Sequence, residues 1–357
     1  MRVKKTSKMT AARKGKRKLT AIDLFSGCGG LSVGLEKAGF RIRAAVENNV
    51  KAKATYEMNH PGVKLYGDIR LLRAKRLMRD LNLKVGKLDL LAGCPPCQGF
   101  SRLRTRNKAK SVTDPRNDLI REFLRFVRVL RPKTVMLENV PSLREDKRFR
   151  HLIQTLEGLG YQFEVQVLNA GDYSVPQRRK RLIMLASRVH VPKMARKRLR
   201  RITVRKALTG IRHPSKSRDA VHAIPESRSR EVKALIRLIP KNGGSRSDLP
   251  AKYRLECHKR SDGFRDVYGR MAWNGLAPTI TSGCYNPSKG RFLHPEHNRT
   301  ISLREAAILQ GFPRRYKFNV AHGKEAIALM IGNALPPPFI AAHAKPLGAG
   351  ILAERGE

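Results

Sequence analysis

The stretch Leu88–Ser101, LDLLAGCPPCQGFS, runs an apolar strand into Gly93 and sets two prolines directly before Cys97. Pro95 and Pro96 have fixed φ and no N–H to donate, so the segment is neither helix nor central strand but a stiff extended turn. Such a turn aims the Cys97 thiol. Glu138 closes a later apolar run, TVMLENV, and in an open α/β sheet both groups come to the edge formed by the carboxyl ends of the strands. A thiolate beside a carboxyl able to share a proton is suited to adding sulfur to an activated double bond. Taken alone, Cys97 reads equally well as a buried structural cysteine. In VPQRRKR, Arg179 and Arg181 stand two apart, which on a strand is one face. Paired guanidiniums suit phosphate or carbonyl oxygens, and a solvated basic edge is the plain alternative.

A second constellation precedes these. The first strand ends at Asp23-Leu24-Phe25, and SGCGGLSVG then opens a helix. Gly27, Gly29 and Gly30 permit positive φ and close backbone approach, while the helix N-terminus offers free N–H groups. The loop lacks the Lys-Ser/Thr of a phosphate-binding loop, and its glycine spacing is not that of a dinucleotide fold. Glu47, 24 residues after Asp23, ends the second strand, where an acid accepts from a ribose diol. Asp68 of Gly67-Asp68-Ile69 ends the third and can accept from an adenine amino group. Each acid alone could be a helix N-cap; in this order with the glycine loop, they describe an adenosine pocket without a pyrophosphate.

The elements that position these groups alternate. From Leu19 to about Arg188, short apolar runs alternate with amphipathic stretches, which predicts a doubly wound parallel sheet with helices on both faces. A helix is expected from Asp118 to Leu130, and others over KAKATYEMN and RFRHLIQTLEGLG. Beyond Arg188 the pattern dissolves into a basic, turn-rich region, and helical patterning returns with SLREAAILQGFP and GKEAIALMIGNALPPPFIAAHA.

Composition narrows the partners. Of 357 residues, 75 are Lys or Arg and 28 Asp or Glu, a net charge of +47 that points to a polyanion, nucleic acid before anionic membrane. No apolar run is read as approaching the ~18 residues of a spanning helix and no signal-peptide core is seen, so a cytoplasmic, nucleoid-associated protein is expected. The first 18 residues, MRVKKTSKMTAARKGKRK, hold no acid and read as a flexible basic arm on nucleic acid, a solvated tail or a transit peptide. Cys28, Cys94, Cys97, Cys257 and Cys284 form no disulfide framework. Cys94 and Cys97 satisfy the C-x-x-C of a redox pair, but no second ligand pair has zinc spacing, and no metal is expected.

The ordered set DLFSGCGG, ENN, GDI, GCPPCQGFS, ENV, QRRKR, LREAAILQGFP and IGNALPPP resembles the DNA (cytosine-5) methyltransferases, from residue 19 to about 340. The resemblance implies an α/β fold: a Rossmann-like S-adenosylmethionine-dependent methyltransferase domain with a smaller, mostly irregular/β target recognition domain. It divides the chain into an arm (1–18), a first catalytic part (19–188), the recognition domain (189–315) and a return (316–357). It implies S-adenosyl-L-methionine held by Phe25 beside the adenine, Gly27, Gly29 and Gly30 in the loop, Glu47 at the ribose hydroxyls, and Asn48 as a further cofactor-binding residue. Asp68 and Ile69 would meet the base, and Pro96, Leu119 and Asn333 the remaining contacts. Cys97 matches the nucleophile, Glu138 the acid at the cytosine ring, and Arg179 and Arg181 the pair near target base and phosphate. Thr279 and Arg304 match positions that tie the two domains together. The ENN segment departs from the family in having no aromatic beside the acid.

The implied activity is methylation of carbon 5 of a cytosine flipped out of a specific duplex DNA sequence, through a Cys97 adduct at carbon 6. By composition, residues 109–116 read as a mobile loop closing over the site or as an ordinary surface connection. The expected partners are double-stranded DNA and a restriction endonuclease acting separately; the expected state is a monomer. Rival readings are a tRNA cytosine methyltransferase on the same fold, a DNA-binding regulator with an inactive catalytic domain, and a redox protein using Cys94 and Cys97. The target sequence is not legible in residues 190–300.

Overall fold

Strand β1 (Leu19–Leu24) is buried at all six positions, as a strand covered on both faces must be. Its side chains divide by the two-residue period of a strand: Ile22 and Leu24 join one apolar cluster, Leu19 and Ala21 another. In this computed structural model, residues 18–96, 118–253 and 266–356 are described. Cys97, the expected loop 109–116 and the basic arm apart from Lys18 lie outside the described residues.

Strands β2 (Phe40–Val46), β3 (Lys64–Tyr66), β4 (Leu90–Gly93), β5 (Thr134–Asn139), β6 (Gln162–Asn169) and β7 (Lys180–Ser187) complete a seven-stranded sheet in the order β3-β2-β1-β4-β5-β7-β6. The first five strands are parallel, but β7 runs antiparallel to both β5 and β6, which corrects the expectation of a wholly parallel sheet. The reason is local. β6 and β7 are joined without a crossover helix, and Ala170 N donates to Arg179 O at 2.9 Å across the turn, so the second strand must return antiparallel.

Helices α1 (Gly30–Lys37), α2 (Val50–Asn59), α3 (Ala74–Asp80), α4 (Leu119–Leu130) and α5 (Lys147–Gly158) follow the strands. In α4 the residues Ile120, Phe123, Leu124, Val127 and Leu130 are buried, the i, i+3, i+4 stripe of a helix packed on a sheet. Asn49 Oδ1 caps α2 by accepting from Ala52 N at 3.0 Å. Asp146 caps α5 by accepting from Arg148 N at 2.7 Å. Helices α3, α4 and α5 cover one sheet face.

Beyond β7, the described residues up to Thr300 hold two short α-helices, α6 (Val204–Leu208) and α7 (Arg230–Leu238), and a few single 3-10 turns, with β structure limited to isolated bridges. Arg270 is fully buried there. Its Nε donates to Ile239 O, its Nη1 to His294 O and His297 O, and its Nη2 to Ile236 O and Asn298 Oδ1, at 2.6–3.0 Å. All five guanidinium donors are thus used to gather the end of α7 and the 294–298 loop. Helices α8 (Leu303–Gln310) and α9 (Lys324–Asn333) share an apolar cluster with Val204 and Leu208 and also with Cys28, Val33 and Ala52. Helix α10 (Pro337–Glu354) packs with α1 on the second sheet face through Phe339, Ile340, Ala344, Leu347 and Ile351. The stretch Lys324–Glu354 is long and apolar enough to cross a membrane, contrary to the sequence-based expectation that no run approaches that length, but 67% of its most apolar window is buried. It serves as core.

Candidate active site

Phe25, directly after β1, adopts φ 62°, a strained conformation for an aromatic residue, and turns the chain into the glycine loop. Gly29 (φ 98°) caps α1, and a Cβ there would lie 2.6 Å from His60 Nε2 and from Tyr316 Oη. Only glycine fits. Glu47, just past β2, accepts from Gly27 N at 2.9 Å and from Asn49 N at 2.8 Å, so both carboxylate oxygens are oriented by the backbone. Asn48 is exposed beside it.

Asp68 carries a side-on pair with its neighbour, Arg70 Nε lying 3.0 Å from both oxygens. That guanidinium holds the Asp68 carboxyl below the usual carboxylate range. Ile69 is buried, and its carbonyl accepts from Arg125 Nη2 of α4 at 2.7 Å. Half-buried Phe25, Tyr66 and Leu119 pack on the cluster that contains Ile69. The structure therefore brings Phe25, Gly27 and Glu47 together at the carboxyl ends of β1 and β2, and ties Ile69, just past β3, to α4 through Arg125.

Sequence reasoning passed over Asp23, treating it only as a strand end. It is fully buried: Ser32 Oγ donates to its Oδ2 at 2.7 Å and lies 2.8 Å from Tyr56 Oη, while Oδ1 has no hydrogen-bond partner among the described residues. Burial pushes the Asp23 carboxyl up to about 8. The signal available was an acid pointing inward from an otherwise apolar strand.

The second group of residues sits at the ends of β4 and β5. Cys94 N donates to Leu24 O at 3.3 Å, continuing the β1–β4 ladder by one residue. Pro95 O accepts from Asn139 Nδ2 at 2.9 Å, so the proline turn is tied to the end of β5; Pro96 is half-buried. Glu138 is 2% exposed. Cys94 Sγ donates to its Oε2 at 3.0 Å, and Arg181 Nε lies 3.0 Å from its Oε1.

Arg179 lies one residue before β7, and Arg179 and Arg181 are the more buried positions on either side of exposed Lys180, keeping the two-residue alternation of a strand. Their partners differ. Arg179 Nη1 donates to Ile280 O at 3.1 Å, and Nη2 to Gly332 O at 3.1 Å and Ala334 O at 3.3 Å. Full burial pushes its guanidinium down to about 9; the carbonyls take its Nη groups, while its Nε has no hydrogen-bond partner among the described residues. Exposed Asn333 lies between two of those carbonyls.

The same joint includes Gln177, which donates to Gln310 Oε1 at 2.7 Å and accepts from Ile280 N at 2.8 Å. Thr279 Oγ1 donates to Arg178 O at 2.6 Å, and Arg304 joins Asp219 to Tyr316 O. Both sequence-predicted ties therefore bridge separate segments. Among the described residues, no group of three His, Cys, Asp or Glu side chains is arranged to hold a metal.

Comparison with known proteins gives a consistent result. A family model described as C-5 cytosine-specific DNA methylase matches residues 19–349. The Type II methylase M.HgiDII of Herpetosiphon aurantiacus is 36% identical, over 88% of this chain and 91% of its own. The Type II methyltransferase M1.HphI of Haemophilus parahaemolyticus is 32% identical over 89% and 84%. Among solved structures, an E. coli prophage protein provisionally described as a DNA modification methyltransferase superposes with a TM-score of 0.64 at 26% identity, covering 95% of this chain and all of its own.

Proposed function

Because the chain belongs to the C-5 cytosine-specific DNA methylase family and so methylates cytosine in DNA, we propose that Cys97 attacks carbon 6 of a flipped-out cytosine while Glu138 supplies a proton to ring nitrogen 3. The observation that carries this reading is Glu138 itself. It is a buried carboxyl at a strand end, oriented by Cys94 and Arg181, beside the proline turn that leads into Cys97.

The methyl donor of this reading is S-adenosyl-L-methionine, which supplies an electrophilic methyl on a sulfonium. The residues present fit it. Glu47 is fixed by two backbone donors and keeps lone pairs for a ribose diol, and a Cβ on Gly27 would meet nothing within 4 Å, so the loop borders open space. Phe25 would stack beside the adenine, Asp68 and Ile69 would meet its edge, and Asn48, Pro96, Leu119 and Asn333 would complete the pocket.

On the cytosine, thiolate addition at carbon 6 with proton uptake at nitrogen 3 makes an enamine whose carbon 5 is nucleophilic. After carbon 5 has gained its methyl, loss of its hydrogen as a proton re-forms the double bond. The sulfur–carbon 6 bond breaks, and the nitrogen proton returns to Glu138. A stacked base cannot reach this geometry, so the target is extruded from the duplex. Residues 189–315 read the DNA sequence, and 316–357 return to the catalytic part. The protein acts as a monomer, and a restriction endonuclease of the same specificity would act separately.

Bisulfite sequencing of DNA from an expressing host locates the modified cytosine. A duplex carrying 5-fluorocytosine at that position should trap the protein as a denaturation-resistant adduct, because fluorine cannot leave as a cation. The adduct should need S-adenosylmethionine and should vanish in Cys97→Ser. An adduct that survives this substitution would overturn the assignment of the nucleophile.

A further inference from the structure

We propose that Cys94 is a positioning residue for Glu138, its thiol holding the carboxyl in the orientation that faces the base. The proposal rests on the reading of Glu138 as the proton carrier at ring nitrogen 3. Both ends of the Cys94–Glu138 bond are anchored. Gly93 pairs with Leu137 in the β4–β5 register, Cys94 N is bonded to Leu24 O, and Pro95 O is bonded to the side chain of Asn139, the residue after Glu138. The thiol is therefore presented to the carboxyl by two adjacent, buried strand ends.

Arg181 cannot do this alone. Its Nε is close to Oε1, yet Oε1 accepts no well-directed hydrogen bond among the described residues. The guanidinium supplies charge, whereas the thiol supplies direction at Oε2. The choice of sulfur has a chemical consequence. A thiol is a weak donor, so it fixes the carboxyl's rotamer without competing strongly for the lone pair or proton that the cytosine must share. This also separates the two cysteines of the C-x-x-C spacing: the sulfur of Cys94 is turned onto the acid.

The test is single-turnover methyl transfer on duplex DNA, with cofactor and DNA affinities measured alongside. Cys94→Ala should slow transfer about tenfold, the worth of one hydrogen bond to a charged group, and leave both affinities unchanged. Cys94→Ser, which keeps a donor of shorter reach, should recover most of the rate. In a Glu138→Gln background the alanine substitution should cost less than about twofold, because residues acting through one interaction are not additive. A wild-type rate for Cys94→Ala, an equal loss in both backgrounds, or a serine variant no better than alanine would each overturn the proposal. If Cys94→Ala fails to fold, Cys94→Gly compared with Cys94→Ser gives the same contrast. A wild-type rate for Glu138→Gln would instead remove the underlying reading. A crippled Glu138→Gln with an unimpaired Cys94→Ala would sink only the role of Cys94.

Discussion

Glu47 and Glu138 are both carboxylates at the ends of buried parallel strands, yet their surroundings assign them different work. Two backbone N–H groups fix Glu47 beside the glycine loop, whereas a thiol and a guanidinium flank Glu138. Glu47→Ala should weaken cofactor binding about tenfold or more, measured as a dissociation constant, with a smaller effect on turnover at saturation. Glu138→Gln should do the reverse, lowering kcat by about a hundredfold or more. Equal loss of cofactor binding in both would mean that the pocket is divided differently. Strand-end acids were legible in the sequence because an acid that closes an apolar run must face the sheet edge. Cys94, Asp23 and the separate duty of Arg179 were not. Each depends on where a side chain turns once distant segments have packed, as when Arg179 meets Ile280 and Gly332 more than a hundred residues away.

At the scale of elements, the apolar runs that became β1, β2, β4 and β5 were read correctly because buried parallel strands are almost purely apolar. Strand β6 escaped notice. Its sequence, QFEVQVLN, interleaves polar residues, and it lies at the sheet's edge, where one side of the ladder is unpaired and burial is incomplete. The antiparallel course of β7 follows from that same missed strand. The joint between β7, the 277–281 segment and the end of α9 is closely packed: a Cβ on Gly332 would overlap the backbone at Thr281 and Ser282. Backbone cannot move aside as a flexible side chain can. Gly332→Ala should therefore destabilise the protein by about 1–3 kcal/mol, seen as a lower denaturant midpoint, and should weaken methyl transfer through the displaced Arg179 carbonyls. An unchanged midpoint would show that the joint has slack.

Over the whole molecule, the charge of +47 exceeds what solubility asks for, and the substrate is itself a polyanion. DNA binding should weaken steeply with salt, log K falling by about 0.9 per phosphate neutralised for each tenfold rise in salt concentration. Removing residues 1–18 should weaken DNA binding and reduce that slope without changing which cytosine is modified; a shifted site would make the arm part of recognition. The region proposed to read DNA was legible only as a loss of periodicity, because neither a helix nor a strand repeat organises its described residues. Arg270 organises it instead, and with one exception its acceptors are main-chain carbonyls. A scaffold held in this way constrains the path of the chain but asks little of the side chains along it. Described residues between α7 and the 294–298 loop that are exposed and make none of these bonds can therefore be exchanged without loss of the frame. If residues 189–315 read DNA as proposed, that reading can drift by substitution, one residue at a time, while the frame gathered by Arg270 stays in place.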